Sequence, residues 1–305
     1  DLWQFKKNIF SDTAYYFITT ADSEGARVTE APDYDITNNI ISSYIARKVH
    51  ELDEVNLLGN SGRDWFEAYF KAGESRSYNF PTEGAVDTIK AFIKVVGRSD
   101  LAGAFEIYNN ETLLGLISYD GINTKSGSTY DLKGDIQNEI FTFLVNDATT
   151  ILTLKLPVVA GYDVLLGYLD QIVLTYTSNL VLHDDMMVFS HPLLEQDTIT
   201  YEIISDEGIE VWDVTYPLVK SLPLHSVGGN HKYTTLNHDQ QHFVAFSNQN
   251  LPQPIAFHPI SNQFISNLNP MDGLIITHPE FIASAERLAR FHSAHDQLDV
   301  AVVTT

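Results

Sequence analysis

The fold turns on the reading of Asp272-Gly273-Leu274-Ile275-Ile276-Thr277-His278, the stretch Pro279 to Asp296 that follows it, and the closing run Leu298-Asp299-Val300-Ala301-Val302-Val303-Thr304-Thr305. The first piece is short, apolar and β-branched, which suits a strand buried on both faces. Pro279 stands where the first helical turn tolerates a missing N–H. Thr277 or His278 precedes it as a cap, and Glu280 falls in the first turn, where a negative charge meets the positive end of the helix dipole. Phe281, Ala285, Leu288 and His292 recur at helical spacing, and Ile282, Ala289 and Phe291 widen the stripe. The last piece is again a β-branched run. Strand, helix and strand in this order predict the βαβ unit of a parallel sheet. One helix cannot cover both faces of such a sheet. The unit is therefore expected to open an α/β domain whose other layers lie beyond Thr305. The start at Asp1 is expected to be a truncated or processed end.

Upstream, the Pro-rich run from Leu251 to Pro259 reads as an extended linker. Residues 181–270 form a second β segment, with strands predicted at Met186–Phe189, Thr198–Ile204, Ile209–Thr215 and Phe243–Phe246. Trp212, with Val211 and Val214, is expected to fill a core. Residues 75–180 are the most regular. Ser77–Phe80 reads as a strand, and Thr88 to Val96 alternates through Ile89, Ala91, Ile93 and Val95, the period of a half-buried strand. Ala104–Tyr108 and Glu111–Gly115 flank Asn109-Asn110 as a hairpin. Further strands fall at 141–145, 150–156 and 171–177. Closely spaced strands without long helices predict a β-sandwich, in an order that resembles a galactose-binding-like jelly roll. Residues 1–74 form an N-terminal β-rich region. Thr13 to Thr20 is aromatic and β-branched and predicts a strand, and Arg27-Val28-Thr29 is extended. Asn39 to Asn56 carries a partial helical period and fits an extended strand as well. Trp65-Phe66 is expected to plug a core or a domain seam. The fold class is thus mainly β, closed at residues 271–305 by the α/β unit.

The chain has 18 Lys and Arg against 40 Asp and Glu, a formal net charge of −22. That balance argues against nucleic acid and anionic membrane surfaces as partners, since phosphates would be repelled. A solvated surface accounts for the acids; calcium, a hard cation that prefers oxygen ligands, is the cofactor they could take. There is no cysteine, so disulfides and thiol catalysis are excluded within these residues. No apolar run reaches the roughly 20 residues of a transmembrane helix.

Candidate sites are few. His238 and His242 stand at i and i+4, a zinc spacing on a helix, but their flanks read as loop and strand and the glutamate of the zinc-peptidase motif is absent. His183-Asp184-Asp185 fits a solvated loop or a calcium ligand set. Asp170 fits a cation ligand or a turn and capping role. His278 lies at the carboxyl end of the first strand of the α/β unit, where ligands gather in such sheets; capping or packing is expected of it. Packing is expected of His292. Tyr119, Tyr130 and Tyr162 would be stacking platforms if the sandwich bound carbohydrate. No nucleophile elbow, phosphate loop or dinucleotide fingerprint is present.

A resemblance joins several of these segments. Leu274-Ile275-Ile276-Thr277-His278, Glu280-Phe281, Ala285-Glu286-Arg287-Leu288-Ala289, Phe291-His292 and Val300-Ala301-Val302-Val303-Thr304 resemble the first unit of the gingipain-like cysteine peptidase domain, in its branch of type IX secretion sortases. Asn56-Leu57-Leu58, Ser61-Gly62-Arg63-Asp64-Trp65-Phe66, Gly167-Tyr168-Leu169-Asp170, Val211-Trp212-Asp213-Val214-Thr215 and Asn262-Gln263 agree in order upstream. The resemblance implies a caspase-like catalytic fold with a thiolate nucleophile and an imidazole base. Neither catalytic residue falls in this chain, so no catalytic or cofactor-binding residue is assigned and the chain is expected to be silent alone. The resemblance further implies a parent enzyme on the extracellular face of the outer membrane. It would remove C-terminal sorting domains from secreted cargo and join the cargo to anionic lipopolysaccharide, with an outer-membrane barrel as docking partner. The alternative is a carbohydrate-binding or scaffolding module of a surface protein.

Overall fold

The computed structural model describes residues 8, 13–19, 22, 24–57, 64–128, 130–190, 197–215, 219–237, 241–247, 249, 251, 253–259 and 270–304. The chain is mainly β and divides between Leu251 and Pro252 into two units. The strands of the first unit begin with β1 (Thr29–Glu30), β2 (Ile40–Ile41), β3 (Ser43–Glu51), β4 (Phe70–Lys71), β5 (Ser75–Pro81) and β6 (Ala85–Ser99). Then come β7 (Gly103–Asn109), β8 (Thr112–Tyr119), β9 (Asp135–Leu144), β10 (Thr149–Lys155), β11 (Leu165–Asn179) and β12 (Met186–Ser190). The unit ends with β13 (Thr198–Ile204), β14 (Glu210–Asp213), β15 (Lys220–Ser221), β16 (His225–Val227), β17 (Asn230–Leu236) and β18 (His242–Phe246).

Two sandwiches result. In the first, the sheet β3-β11-β6-β9, with β4 beside β11, shares one core with the sheet β5-β10-β7-β8. The alternation read in the sequence places Ile89, Ala91, Ile93 and Val95 of β6 inward, all fully buried, against Phe105, Ile107, Leu152 and Leu154 of the facing sheet. Sides alternate because successive strand side chains point to opposite faces. The Asn109-Asn110 hairpin is present between β7 and β8, with Asn110 at φ 52°. Asn tolerates that left-handed conformation better than most residues. Gly167 of β11 packs so closely on the Phe105 ring that a Cβ would stand 2.2 Å from Cζ. The β11–β6 ladder slips at Asp170, between Leu169 and Gln171, a β-bulge that turns one extra residue out of register. β3 pairs with β11 along Ser43 to Asn179 and Glu51 to Gln171, so of the two readings of 39–56 the extended one holds. The sandwich thereby takes in residues well before position 75.

In the second sandwich, β1-β15-β14-β18-β12 shares a core with β16-β17-β13-β2. Its centre is aromatic: Tyr201 stacks on Tyr233 with ring centroids 5.1 Å apart, and both meet Phe243. β1 and β2, from the N-terminal region, join it by parallel pairing with β15 and β13. Val211 lies in this core, but Trp212 does not. Adjacent strand residues face opposite ways, so Trp212 sits on the other face, edge-on to Phe246 with its Nε1 donating to Glu210. Phe66 is core, 1% exposed, whereas its neighbour Trp65 is 42% exposed. The strand expected at Thr13 to Thr20 forms no ladder among the described residues, and Tyr15, Tyr16, Phe17 and Ile18 stand exposed. β-propensity without a partner strand does not make a strand.

The second unit contains β19 (Gly273–Thr277), a 3-10 turn at Pro279–Phe281, α1 (Ile282–His295) and β20 (Val300–Thr304). β19 and β20 pair in parallel, Gly273 to Val300 through Thr277 to Thr304. The strand–helix–strand reading holds. Burial on both faces does not: Ala285, Ala289 and Val303 are buried, while Leu274, Ile276, Leu288 and Phe291 are about half exposed.

Candidate functional site

A cleft of about 350 Å³ opens in the first unit where the two sandwiches meet. One wall is residues 44–48 of β3 and the other is β12. Both strands are the last in their sheets. β12 alternates: Met187 and Phe189 are buried in the second core, while Met186 and Val188 are 47% and 62% exposed. Ile45, opposite, is also exposed. Tyr44 and Tyr176 line the floor. Burial pushes the Tyr176 phenol up to about 12, with Tyr44 adding to it, and burial raises Tyr44 against a hydrogen bond with Ser178. Both therefore stay protonated at neutral pH and can donate hydrogen bonds. His183 Nδ1 lies 3.5 Å from Glu83 Oε2 at this lining. The chemistry on offer is apolar contact, hydroxyl donors and the two strands that end their sheets among the described residues.

A second polar constellation fixes the segment before β5. Glu67 is 9% exposed and accepts from His50 Nε2 at 2.9 Å, Tyr78 Oη at 3.2 Å and Arg76 at 3.5 Å. Arg76 also donates to the carbonyl of Tyr69 at 2.7 Å and sits 4.3 Å over the Phe70 ring. Burial pushes the Glu67 carboxyl up, but the hydrogen bonds from His50 and Tyr78 and the charges of His50 and Arg76 outweigh it, leaving it below the ordinary carboxylate value. Both Glu67 oxygens and all three Arg76 nitrogens have partners within the fold, which marks a structural clamp.

The residues singled out in the sequence separate on inspection. Asp170 forms an ion pair with Lys94. Burial raises its carboxyl; Lys94 opposes this, and the charges of Asp64 and Asp53 add to the rise. Its carboxylate is thus engaged by Lys94 beside the bulge. His278 caps the helix, its Nδ1 accepting from the Glu280 amide at 3.3 Å. His292 is part-buried beside the Phe291 ring, and its Nδ1 lies 2.7 Å from Asp296 Oδ2 in the last turn. His295 and His292 hold the Asp296 carboxyl below its usual range. His238 lies outside the described residues, while His242 is in β18 opposite Ser190. Among the described residues no three His, Asp or Glu side chains are grouped to hold a metal. Tyr119 is 2% exposed, so it cannot be a glycan platform; Tyr130 and Tyr162 are exposed. The cleft itself was missed, because its walls come from segments far apart in the chain.

No protein-family model matches the sequence, and no curated protein matches it significantly. Solved structures do match. The crystal structure of dimeric latent PorU from Porphyromonas gingivalis superposes with a TM-score of 0.75, covering 91% of this chain at 18% identity. The chain spans 27% of the length of that PorU chain. The likeness is one of fold. The insecticidal delta-endotoxin Cry8Ea1 from Bacillus thuringiensis, at 0.31 over 46% of the chain, is too distant to carry an argument.

Proposed function

We propose that this chain is the non-catalytic amino-terminal portion of a gingipain-like cysteine peptidase that works as a type IX secretion sortase. The observation that carries the reading is the agreement with the PorU fold along 91% of the chain. The half-exposed apolar residues of β19 and α1 add support, since such a layer is ordinarily covered by more sheet and helix. In this reading the complete enzyme sits on the extracellular face of the outer membrane. It removes C-terminal sorting domains from cargo through a thiolate and an acyl-enzyme, and an amine of anionic lipopolysaccharide takes the acyl group. The two sandwiches position cargo or dock on an outer-membrane barrel. The chain supplies no cysteine, so the nucleophile comes from the remainder of the enzyme.

The coding sequence downstream of Thr305 tests the reading most cheaply. A histidine and a cysteine are expected there, each at the carboxyl end of a β-branched run. Absence of either sinks it. Purified as 305 residues, the chain should show no specific peptide cleavage; specific turnover would overturn the non-catalytic assignment.

A further inference from the structure

Arg98 is a buried charge that no acid answers. It is 6% exposed and forms no ion pair among the described residues. Its Nη1 donates to the carbonyl of Lys133 at 2.8 Å, and no other acceptor lies within hydrogen-bond distance among those residues. The Nε–Nη2 edge is thus free, and it is not sealed from solvent. A guanidinium carries five N–H donors, and a buried charge ordinarily meets an opposite one. The acids nearest along the strands are turned elsewhere. Asp100 accepts from the amides of Asp163 and Val164, Asp135 from the Asp120 amide and Gln137, and Glu74 from Arg76 and the Lys71 amide.

β6 carries Ile93 and Val95 into the core and so turns Val96 and Arg98 to the outer face of its sheet. On that face Arg98 stands in one row with Leu166 of β11 and Lys71 of β4. Two strand spacings of about 4.8 Å each separate the flanking cations. Lys71 is exposed and forms no ion pair among the described residues. Tyr168, two residues on from Leu166, shares the face and meets the half-exposed Tyr69 edge-on at 6.3 Å. Burial raises the Tyr168 phenol and the Arg98 charge opposes the rise, so the hydroxyl keeps its proton at neutral pH. We propose that the free edge of Arg98 binds the carboxylate of a small apolar acid. Nε and Nη2 form the planar fork that matches two carboxylate oxygens. Lys71 approaches the same anion from across Leu166, and the body of the acid lies over Leu166 and Tyr69. The site is built on the face of the sheet that points away from the first core, and it does not depend on the secretion reading.

Nuclear magnetic resonance of the arginine Nε–H groups in the 305-residue protein tests this. Benzoate serves as a free acid and N-acetylphenylalanine as the carboxyl end of a peptide, and the tighter binder names the source of the ligand. Either should shift the Arg98 Nε–H resonance saturably, in the low millimolar range. Benzamide, neutral and of the same shape as benzoate, should leave it in place. Arg98→Lys keeps the charge but loses the fork, and should weaken benzoate at least tenfold. Lys71→Met, at an exposed position, should weaken it severalfold with an unchanged circular dichroism spectrum, which keeps the test informative if the Arg98 variant fails to fold. The proposal is overturned if the Arg98 resonance shows no saturable shift with either acid, if benzamide moves it equally, or if the Lys71 variant binds benzoate as tightly as the unaltered chain.

Discussion

Glu67 shows how one residue ties a loop to a sandwich. Its folded carboxyl value is depressed despite burial, because His50, Tyr78 and Arg76 all favour the charged form. The sign follows by linkage. The stability it contributes is present above the unfolded carboxyl value of about 4.3, and is lost as pH falls through the lower folded value. Glu67→Gln should therefore lower stability at pH 7 by about 1.5–3 kcal/mol, the range for hydrogen bonds to a charged group. The variant should also show a shallower loss of stability on acidification. Urea titrations of both proteins between pH 3 and pH 7 check both parts. Gly167 makes a steric argument at the same scale. Its missing Cβ leaves room for the Phe105 ring, so Gly167→Ala should cost about 1–3 kcal/mol through overpacking. An unchanged denaturation midpoint would mean that the ring moves aside freely.

At the scale of elements, what was legible follows burial contrast. β6 could be read because Ile89, Ala91, Ile93 and Val95 alternate with polar neighbours such as Lys90 and Lys94. β17 was missed because its inward positions are His231, Tyr233 and Thr235, of which only the tyrosine is strongly apolar. β1 and β2 are two residues long, too short to show a period. Thr13 to Thr19 failed in the opposite way, with strong propensity and no ladder among the described residues. The β7–β8 hairpin is the element where turn chemistry spoke most plainly. Asn110 holds φ 52°, a region that costs most L-residues about 1–2 kcal/mol. Asn110→Ala should destabilise by about 1 kcal/mol, while Asn110→Gly should be close to neutral, because glycine enters this region without a steric penalty. Chemical denaturation of the pair separates a backbone effect from loss of the side chain, since only the backbone effect spares the glycine variant.

Across the whole chain, local pattern indicates the first sandwich and the β character of residues 181–270, but not the second sandwich as such, how either is closed, or what they bind. The parallel pairing of β1 with β15 joins Thr29 to Lys220, and the cleft joins residues 44–48 to 186–190; no spacing rule reaches such distances. The unit from Pro252 onward is the reverse case, fully legible in its strand–helix–strand order yet poorly covered. Among its described residues the buried apolar ones are Ala285, Ala289 and Val303, two of them with the smallest apolar side chain. So small a core cannot offset the roughly 1–2 kcal/mol of backbone entropy lost per ordered residue, and folds below about 40 residues ordinarily need disulfides, metals or partners. A synthetic peptide of residues 270–304 should accordingly give the circular dichroism spectrum of an unfolded chain at 25 °C. A helical spectrum that melts cooperatively would show instead that β19, α1 and β20 suffice to stabilise one another, and the exposed Leu274, Ile276 and Phe291 would then no longer argue for layers supplied by further chain.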